Sequence, residues 1–232
     1  MLKIKKLFLD ILAPKNCYIC KQKGSFICQN CFDKIKPFPS QCYICKTKSN
    51  NFNTCQECKN RFLIDKVIVL SYYEGVISSL IKDAKFKNKH DIYNDIIPFL
   101  YNKFILNEKM IRKDDYILVW IPSHFLRRFK RGYDTSNIIC KAFSKESWIK
   151  YERKIIKKIK NTKQQSHLTK ELRLSNLNWT FEFNQKYKEK LSWKTVIIID
   201  DVMSTWSTIN EISKVLKMNW AKKLIWLIIA SW

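Results

Sequence analysis

"IIIDDVMSTWSTI", residues 197–209, decides how the chain is read. The isoleucines close the apolar run "KTVIII", the pattern of a strand covered on both faces. Asp200 and Asp201 then stand at its carboxyl end, and Ser204, Thr205, Trp206, Ser207 and Thr208 lead into the helical pattern "TINEISKVLKM". In an open parallel sheet, ligands sit beyond the carboxyl ends of strands, where loops enter helices. The N–H groups and hydroxyls of such a loop suit a phosphate, as does the positive end of the helix dipole. Neighbouring acids suit a sugar diol, or Mg2+ through water. The GxxxxGK signature of a P-loop is absent. One acid here would be read as a helix cap; two acids followed by this many hydroxyls favour a ligand. Trp206 is the oddity, because the centre of a phosphate loop calls for a small, permissive residue.

Outward from that stretch the pattern is α/β. "KVIVLSYY", "YILVWIP", "KTVIII" and "KLIWLIIA" read as strands, and "RKIIKKI" as a weaker one. "VISSLIKDAKF", "DIYNDIIPFLYNKFI" and "YDTSNIICKAFSK" carry helical periodicity. The polar "KNTKQQSHLTKELRLSN" reads as a loop running into a short helix. Apolar strands separated by helices imply a mostly parallel sheet flanked by helices.

The first sixty residues differ in kind. Eight of nine cysteines form four CxxC pairs: Cys17/Cys20, Cys28/Cys31, Cys42/Cys45 and Cys55/Cys58. Two such knuckles complete a tetrahedral shell of four thiolates, so four imply two structural Zn2+ sites with no open coordination position. The short gaps favour sequential sites, the first four cysteines and then the second four, and leave a cross-braced pairing open. Disulfides fit poorly with four regular pairs and no export signal, and an iron–sulfur cluster fits less well than zinc. So polar a segment buries little apolar surface, and metal binding supplies most of its folding free energy. Domains follow at 1–62 and 63–232. Cys140, alone in "NIICKAF", reads as a buried core thiol.

Net charge is +24, from 44 Lys and Arg against 20 Asp and Glu. That balance fits a polyanionic partner, nucleic acid or a phosphorylated substrate; it equally fits A/T-rich coding, since only seven of the basic residues are Arg. No run approaches the roughly 18 apolar residues of a membrane span. The opening "MLKIKKLFLDILAP" reads as a short amphipathic helix, and the expected location is cytoplasmic.

With these residues in place, the acid-pair stretch resembles the ribose-5-phosphate signature of type I phosphoribosyltransferases, and the whole chain resembles the ComF/GntX family, a zinc ribbon followed by such a domain. The cysteine knuckles and "DDVMSTWST" carry the likeness. "YYEGVISSLIKDAKFKN" at 72–88, "IPSHFLRRFKRGYDTSNIICKAF" at 121–143 and "TKQQSHLTKELRLSNLNWTFEF" at 162–183 agree with it. The resemblance implies 5-phosphoribosyl-1-diphosphate with Mg2+ as ligand. Asp200 and Asp201 would hold the ribose hydroxyls, and Ser204 to Thr208 would wrap the 5-phosphate. The diphosphate would lie near His124, Arg127, Arg128, Lys130 and Arg131, with the stretch around Lys163 to Gln165 closing over it. An incoming nitrogen would attack C1 as diphosphate leaves, through positioning and charge stabilisation; no general base is assigned, with His124 and His167 as the candidates. The family pattern Arg-Gly-Phe-Asn-Gln is broken here, where Asp134 and Thr135 follow "RGY". Family context implies single-stranded DNA and the DNA-uptake machinery as partners. A transfer enzyme of nucleotide or cofactor metabolism, or a catalytically silent ligand sensor, would share the same site.

The place of Trp206 has a second side. The chain holds three Gly and eight Trp, against roughly 16 Gly at the usual frequency of about 7%. Trp206, Trp193, Trp220 and Trp179 stand where glycine belongs, and Trp148 again ends a helix pattern. Trp120 and Trp226 sit inside strand patterns and suit genuine tryptophan. We expect the first group to arise from UGA codons that the source reads as glycine. A true indole at 206 would fill the phosphate seat and weaken binding.

Overall fold

A computed structural model describes residues 14–108, 112–122, 133–158, 181–203 and 206–232, without the side chains of 206–208. The expected amphipathic start, the segment holding His124, Arg127, Arg128, Lys130 and Arg131, the stretch with Lys163–Gln165, His167 and Trp179, and Ser204 and Thr205 lie outside the described residues, as do the side chains of Trp206, Ser207 and Thr208.

The sheet is built from β1 (Lys66–Tyr72), β2 (Tyr116–Val119), β3 (Tyr151–Glu152), β6 (Thr195–Val202) and β7 (Lys223–Ser231). Their order is β1-β7-β6-β2-β3 and every pairing is parallel. Val196 to Ile199 and Leu224 to Ala230 are buried without interruption, as strands covered on both faces require. The helices are α1 (Gly75–Phe86), α2 (Asp91–Asn107), α3 (Thr135–Ser147) and α4 (Trp206–Met218). On α2, Ile92, Tyr93, Ile96, Ile97, Leu100 and Phe104 are buried, the three-and-four spacing of one helix face. That face packs against α3 and against β1 and β7.

The expected strand in "RKIIKKI" is corrected in its pairing. The edge of the main sheet is Tyr151–Glu152, whereas β4 (Ile156–Lys158) forms an antiparallel ribbon with β5 (Phe181–Phe183). Ile155 and Ile156 are buried while Lys157 is exposed, so the segment suits a ribbon with one wet side better than a doubly covered sheet.

Chain order fixes where a ligand would sit. From β2 the chain passes through α3 to β3 on one side, then returns to β6 on the other side of β2. The carboxyl ends of β2 and β6 therefore flank a topological switch point. β6 ends in the acid pair there, and β2 runs out into Trp120 and Pro122.

Ahead of the sheet lie two similar knuckles. Each has an isolated bridge, Asn16 with Lys23 or Gln41 with Lys48, and a single helical turn, Gln29–Phe32 or Gln56–Lys59. Each also turns on a left-handed lysine, Lys21 at φ 63° or Lys46 at φ 65°. Ile27, Phe38, Tyr43 and Phe52 join the core of the sheet domain, so the knuckles share that core rather than building one.

Three further residues with positive φ are tryptophans: Trp148 at 61°, Trp193 at 62° and Trp220 at 71°. All three are exposed. A Cβ in the left-handed region costs about 1–2 kcal/mol, and a solvent-facing indole returns little of it.

Candidate functional site: an acid pair and two metal centres

β6 extends through Val202, so successive side chains leave it on opposite faces. Asp200 and Asp201 accordingly have different neighbours. Asp200 is half-buried, and its Oδ1 accepts the backbone N–H of Asp201 at 2.9 Å. Asp201 is buried, at 4% exposure. Its Oδ1 pairs with Lys85 Nζ at 2.8 Å and accepts the Val202 N–H at 2.7 Å, and its Oδ2 accepts the Tyr93 hydroxyl at 3.1 Å. Burial and then the Asp201 charge push the Tyr93 phenol well above its ordinary range, so it acts as a permanent donor. Lys85 comes from the last turn of α1 and Tyr93 from the first turns of α2. Neither was legible as a site residue: "KDAKF" and "DIYND" read as ordinary amphipathic helix.

Around the switch point, Asp134 caps α3 by accepting the Asn137 N–H at 3.2 Å, which gives the departure from the family's segment a structural task. The Tyr133 hydroxyl donates to the carbonyls of Ala84, at 3.0 Å, and Lys85, tying the entry of α3 to the helix end that bears Lys85. Cys140 is fully buried on α3, and burial raises its thiol pKa, with the Asp200 and Asp134 charges adding to it; it is an inert core thiol.

The cysteines resolve into two groups, Cys17, Cys20, Cys28 and Cys31, then Cys42, Cys45, Cys55 and Cys58, with all sulfurs of a group within 4.8 Å of one another. The sequential pairing is therefore the one adopted. Cys20 and Cys28 approach to 3.7 Å and Cys45 and Cys55 to 3.6 Å. A tetrahedral shell with Zn–S near 2.3 Å needs sulfurs about 3.8 Å apart, so both groups fit structural Zn2+. Burial raises the Cys17 thiol, but the backbone hydrogen bonds at Cys28, Cys20 and Ile19 outweigh it and bring the pKa down to about 6. The Thr47 hydroxyl, with its backbone, lowers Cys45 to about 6. These donors favour thiolate, the form a metal takes.

The two groups dock differently. From the first, the Tyr18 hydroxyl donates to Asp83 of α1 at 2.6 Å, the Phe26 N–H donates to Asp95 of α2 at 2.7 Å, and Phe32 stacks on Phe99 of α2 with centroids 3.7 Å apart. From the second, the Phe38 N–H donates to the Leu70 carbonyl of β1 at 3.3 Å, and the Tyr43 hydroxyl bonds with Ser231 of β7. Lys103, in the carboxyl half of α2, donates to the carbonyls of Phe38 at 3.2 Å and Leu70 at 3.0 Å.

A parallel sheet flanked by helices, an acid pair at its switch point and two four-cysteine knuckles in front define the class: an α/β domain preceded by a module of two structural-zinc sites. Within that class the chain is similar to Competence protein F of Haemophilus influenzae, 29% identical over 82% of this chain and 84% of the relative. It is 25% identical to the DNA utilization protein YhgH of Salmonella typhimurium and 24% identical to that of Escherichia coli K12, each over 67% of both chains. No protein-family model matches the chain. Among solved structures, an allosteric regulatory enzyme of purine biosynthesis aligns with a TM-score of 0.40 and 14% identity over 60% of this chain and 25% of its own, a likeness too slight to build on.

Proposed function

We propose that the chain is a ComF-like protein of DNA uptake in natural competence, acting in the cytoplasm, whose domain at 63–232 binds 5-phosphoribosyl-1-diphosphate with Mg2+ behind a zinc-ribbon module at 1–62. One observation carries the ligand: an acid pair at the switch point, delivered by a buried strand that leads directly into α4. Asp200 is the carboxylate for the ribose hydroxyls and Mg2+. Asp201, expected alongside Asp200 at the ribose, is buried and held by Lys85 and Tyr93, and its role here is revised to fixing the strand end that aims Asp200. Ser204 to Thr208 supply the phosphate seat, and Arg128 and Arg131 meet the diphosphate. The ligand brings an activated C1, and the residues named here bind and orient it; no residue is assigned to transfer. The naming of the relatives for competence and DNA utilization supports the role in DNA uptake. The net charge of +24 supports contact with single-stranded DNA.

Calorimetric titration with 5-phosphoribosyl-1-diphosphate and Mg2+, with glycine placed at 206, tests the site. Binding is expected, and Asp200→Asn is expected to weaken it about tenfold or more, the loss of charge-assisted hydrogen bonds. No heat of binding would remove the ligand assignment. Affinity for single-stranded DNA is expected to fall steeply between about 50 and 200 mM salt; binding insensitive to salt would remove the DNA partner.

A further inference from the structure

The two side chains that grip Asp201 come from the two helices that the first knuckle clasps. Tyr18, between the ligands Cys17 and Cys20, holds Asp83, two residues before Lys85 on α1. Lys89 joins that contact, lying 3.2 Å from the Tyr18 hydroxyl and 3.5 Å from Asp83. The Phe26 N–H, two residues before Cys28, donates to Asp95, two residues after Tyr93 on α2, and Lys15 pairs with the same carboxylate at 3.5 Å. Phe32, immediately after Cys31, stacks on Phe99 one turn further along α2. Each contact leaves the knuckle within two residues of a cysteine, so each depends on the fold the metal imposes. The second knuckle reaches β1, β7 and the far half of α2 instead.

We propose that metal in the first knuckle sets the position of Asp201, through Asp83 and Lys85 on α1 and through Asp95 and Tyr93 on α2, making this knuckle a metal-dependent regulator of the acid-pair site. Loss of its metal frees the ends of both helices and slackens the grip on Asp201. The second knuckle approaches the site only through the sheet, by Tyr43, Ser231 and the pairing of Ala230 with Val202, and among the described residues it holds neither the Lys85 nor the Tyr93 segment; its metal serves docking on the sheet. The affinity consequence rests on the ligand reading above; the structural coupling does not.

The test has two arms. In the first, hydrogen exchange compares Cys20→Ser/Cys28→Ser with Cys45→Ser/Cys55→Ser, each checked for one retained zinc. The first pair is expected to speed exchange across residues 79–97 and 199–203, and the second pair only across 37–72 and 224–231. Equal exchange around 199–203 in both pairs, or none in either, overturns the coupling. In the second arm the cysteines stay intact, which covers the case of a misfolded cysteine variant. Tyr18→Phe/Asp95→Asn is expected to weaken 5-phosphoribosyl-1-diphosphate about fivefold or more, in the range of allosteric couplings, whereas Tyr43→Phe leaves affinity unchanged. The same affinity for both variants overturns the coupling. If the unaltered chain binds no ligand, the ligand reading falls alone, and exchange around 199–203 in the same two variants decides the coupling.

A separate observation carries a second inference. Trp148 and Trp220 close α3 and α4: the Trp148 N–H donates to Ser144 O at 2.9 Å, the Trp220 N–H to Lys217 O at 3.2 Å and the Ala221 N–H to Leu216 O at 3.2 Å. These are left-handed helix caps, where glycine belongs. Trp193 makes the turn into β6, its N–H donating to Trp220 O at 3.1 Å. Their exposures are 78%, 55% and 71%, against 3% for Trp226, whose Nε1 donates to Ser213 at 3.3 Å. We infer that positions 148, 193 and 220 are glycine in the protein as its own cells make it, read from UGA, while Trp226 is genuine. Peptide mass spectrometry of protein isolated from those cells decides this. Glycine at the three positions and tryptophan at 226 are expected; tryptophan at any of the three overturns the inference. The same spectra read positions 206 and 179.

Discussion

The two knuckles are close to copies of one another in chemistry and unlike in what they hold. Both place four cysteines around one point, both turn on a left-handed lysine, and both add one helical turn. The first spends its loop residues on α1 and α2, through Tyr18, Phe26 and Phe32. The second spends them on strands and on Lys103, through Phe38 and Tyr43. A repeated metal unit thus takes its role from the few residues between and beside its ligands. The shell itself is generic, and the neighbours it selects are not.

The largest effect that would break the symmetry is loss of one shell. Structural zinc is worth about 10–16 kcal/mol to a small module, so Cys28→Ser and Cys55→Ser should each unfold their own knuckle and leave one zinc per chain instead of two. Metal analysis of the purified variants checks this. Loss of both zincs from either would show that the groups are not independent sites, and two retained would show that the altered cysteine is not needed to hold its metal. Next in size is Asp95→Ala. It removes the acceptor of the Phe26 N–H and one of the two carboxylates paired with Lys15, and should lower unfolding stability by about 1–3 kcal/mol in a denaturant titration. Smaller again is Tyr18→Phe, where one hydroxyl to Asp83 is lost; about 1 kcal/mol is expected from the same titration. Equal losses from both substitutions would mean that the clasp on α2 is no tighter than the clasp on α1.

Much of this was legible in the sequence. Four CxxC pairs specify their chemistry by spacing alone, because two thiolates three residues apart can meet one metal from one tight turn. β6 was legible because a strand covered on both faces is apolar along its length, and the two acids mark its carboxyl end. What could not be read were contacts made across the fold. Lys85 and Tyr93 look like surface lysine and core tyrosine on their helices, and only the packing of α1 and α2 against the end of β6 brings them to Asp201. The edge strand Tyr151–Glu152 was missed because two residues carry no periodicity. The sequential cysteine pairing needed the structure too, since spacing favours it without excluding a cross-brace. The tryptophans at 193 and 220 were legible in a different way: a bulky residue at a glycine position is visible in the sequence, and the positive φ supplies the physical reason it is out of place.

A further effect concerns pH and separates the knuckles by sign. The first is fastened through carboxylates. The Tyr18 hydroxyl holds the Asp83 carboxyl below its ordinary range, with Lys87 and Lys89 adding to it. Its contribution is therefore present above the unfolded value near 3.8 and is lost as pH falls through the lower folded value. The second is fastened by Lys103, whose ammonium burial brings down from 10.5 to about 8. Between those two values the unfolded chain holds more protons on Lys103 than the folded chain does, so the Lys103 contribution to stability rises as pH climbs from about 8 towards 10.5, while Tyr93, Tyr116 and Cys140, raised by burial, contribute with the opposite sign. Denaturant titrations of the zinc-loaded protein across that range should show the rise as a growing difference between the unaltered chain and Lys103→Met, while Asp95→Ala runs parallel to the unaltered chain. A constant difference between the two chains across that range would mean that Lys103 stays protonated against the Phe38 and Leu70 carbonyls and the Phe52 ring, 5.0 Å away, throughout.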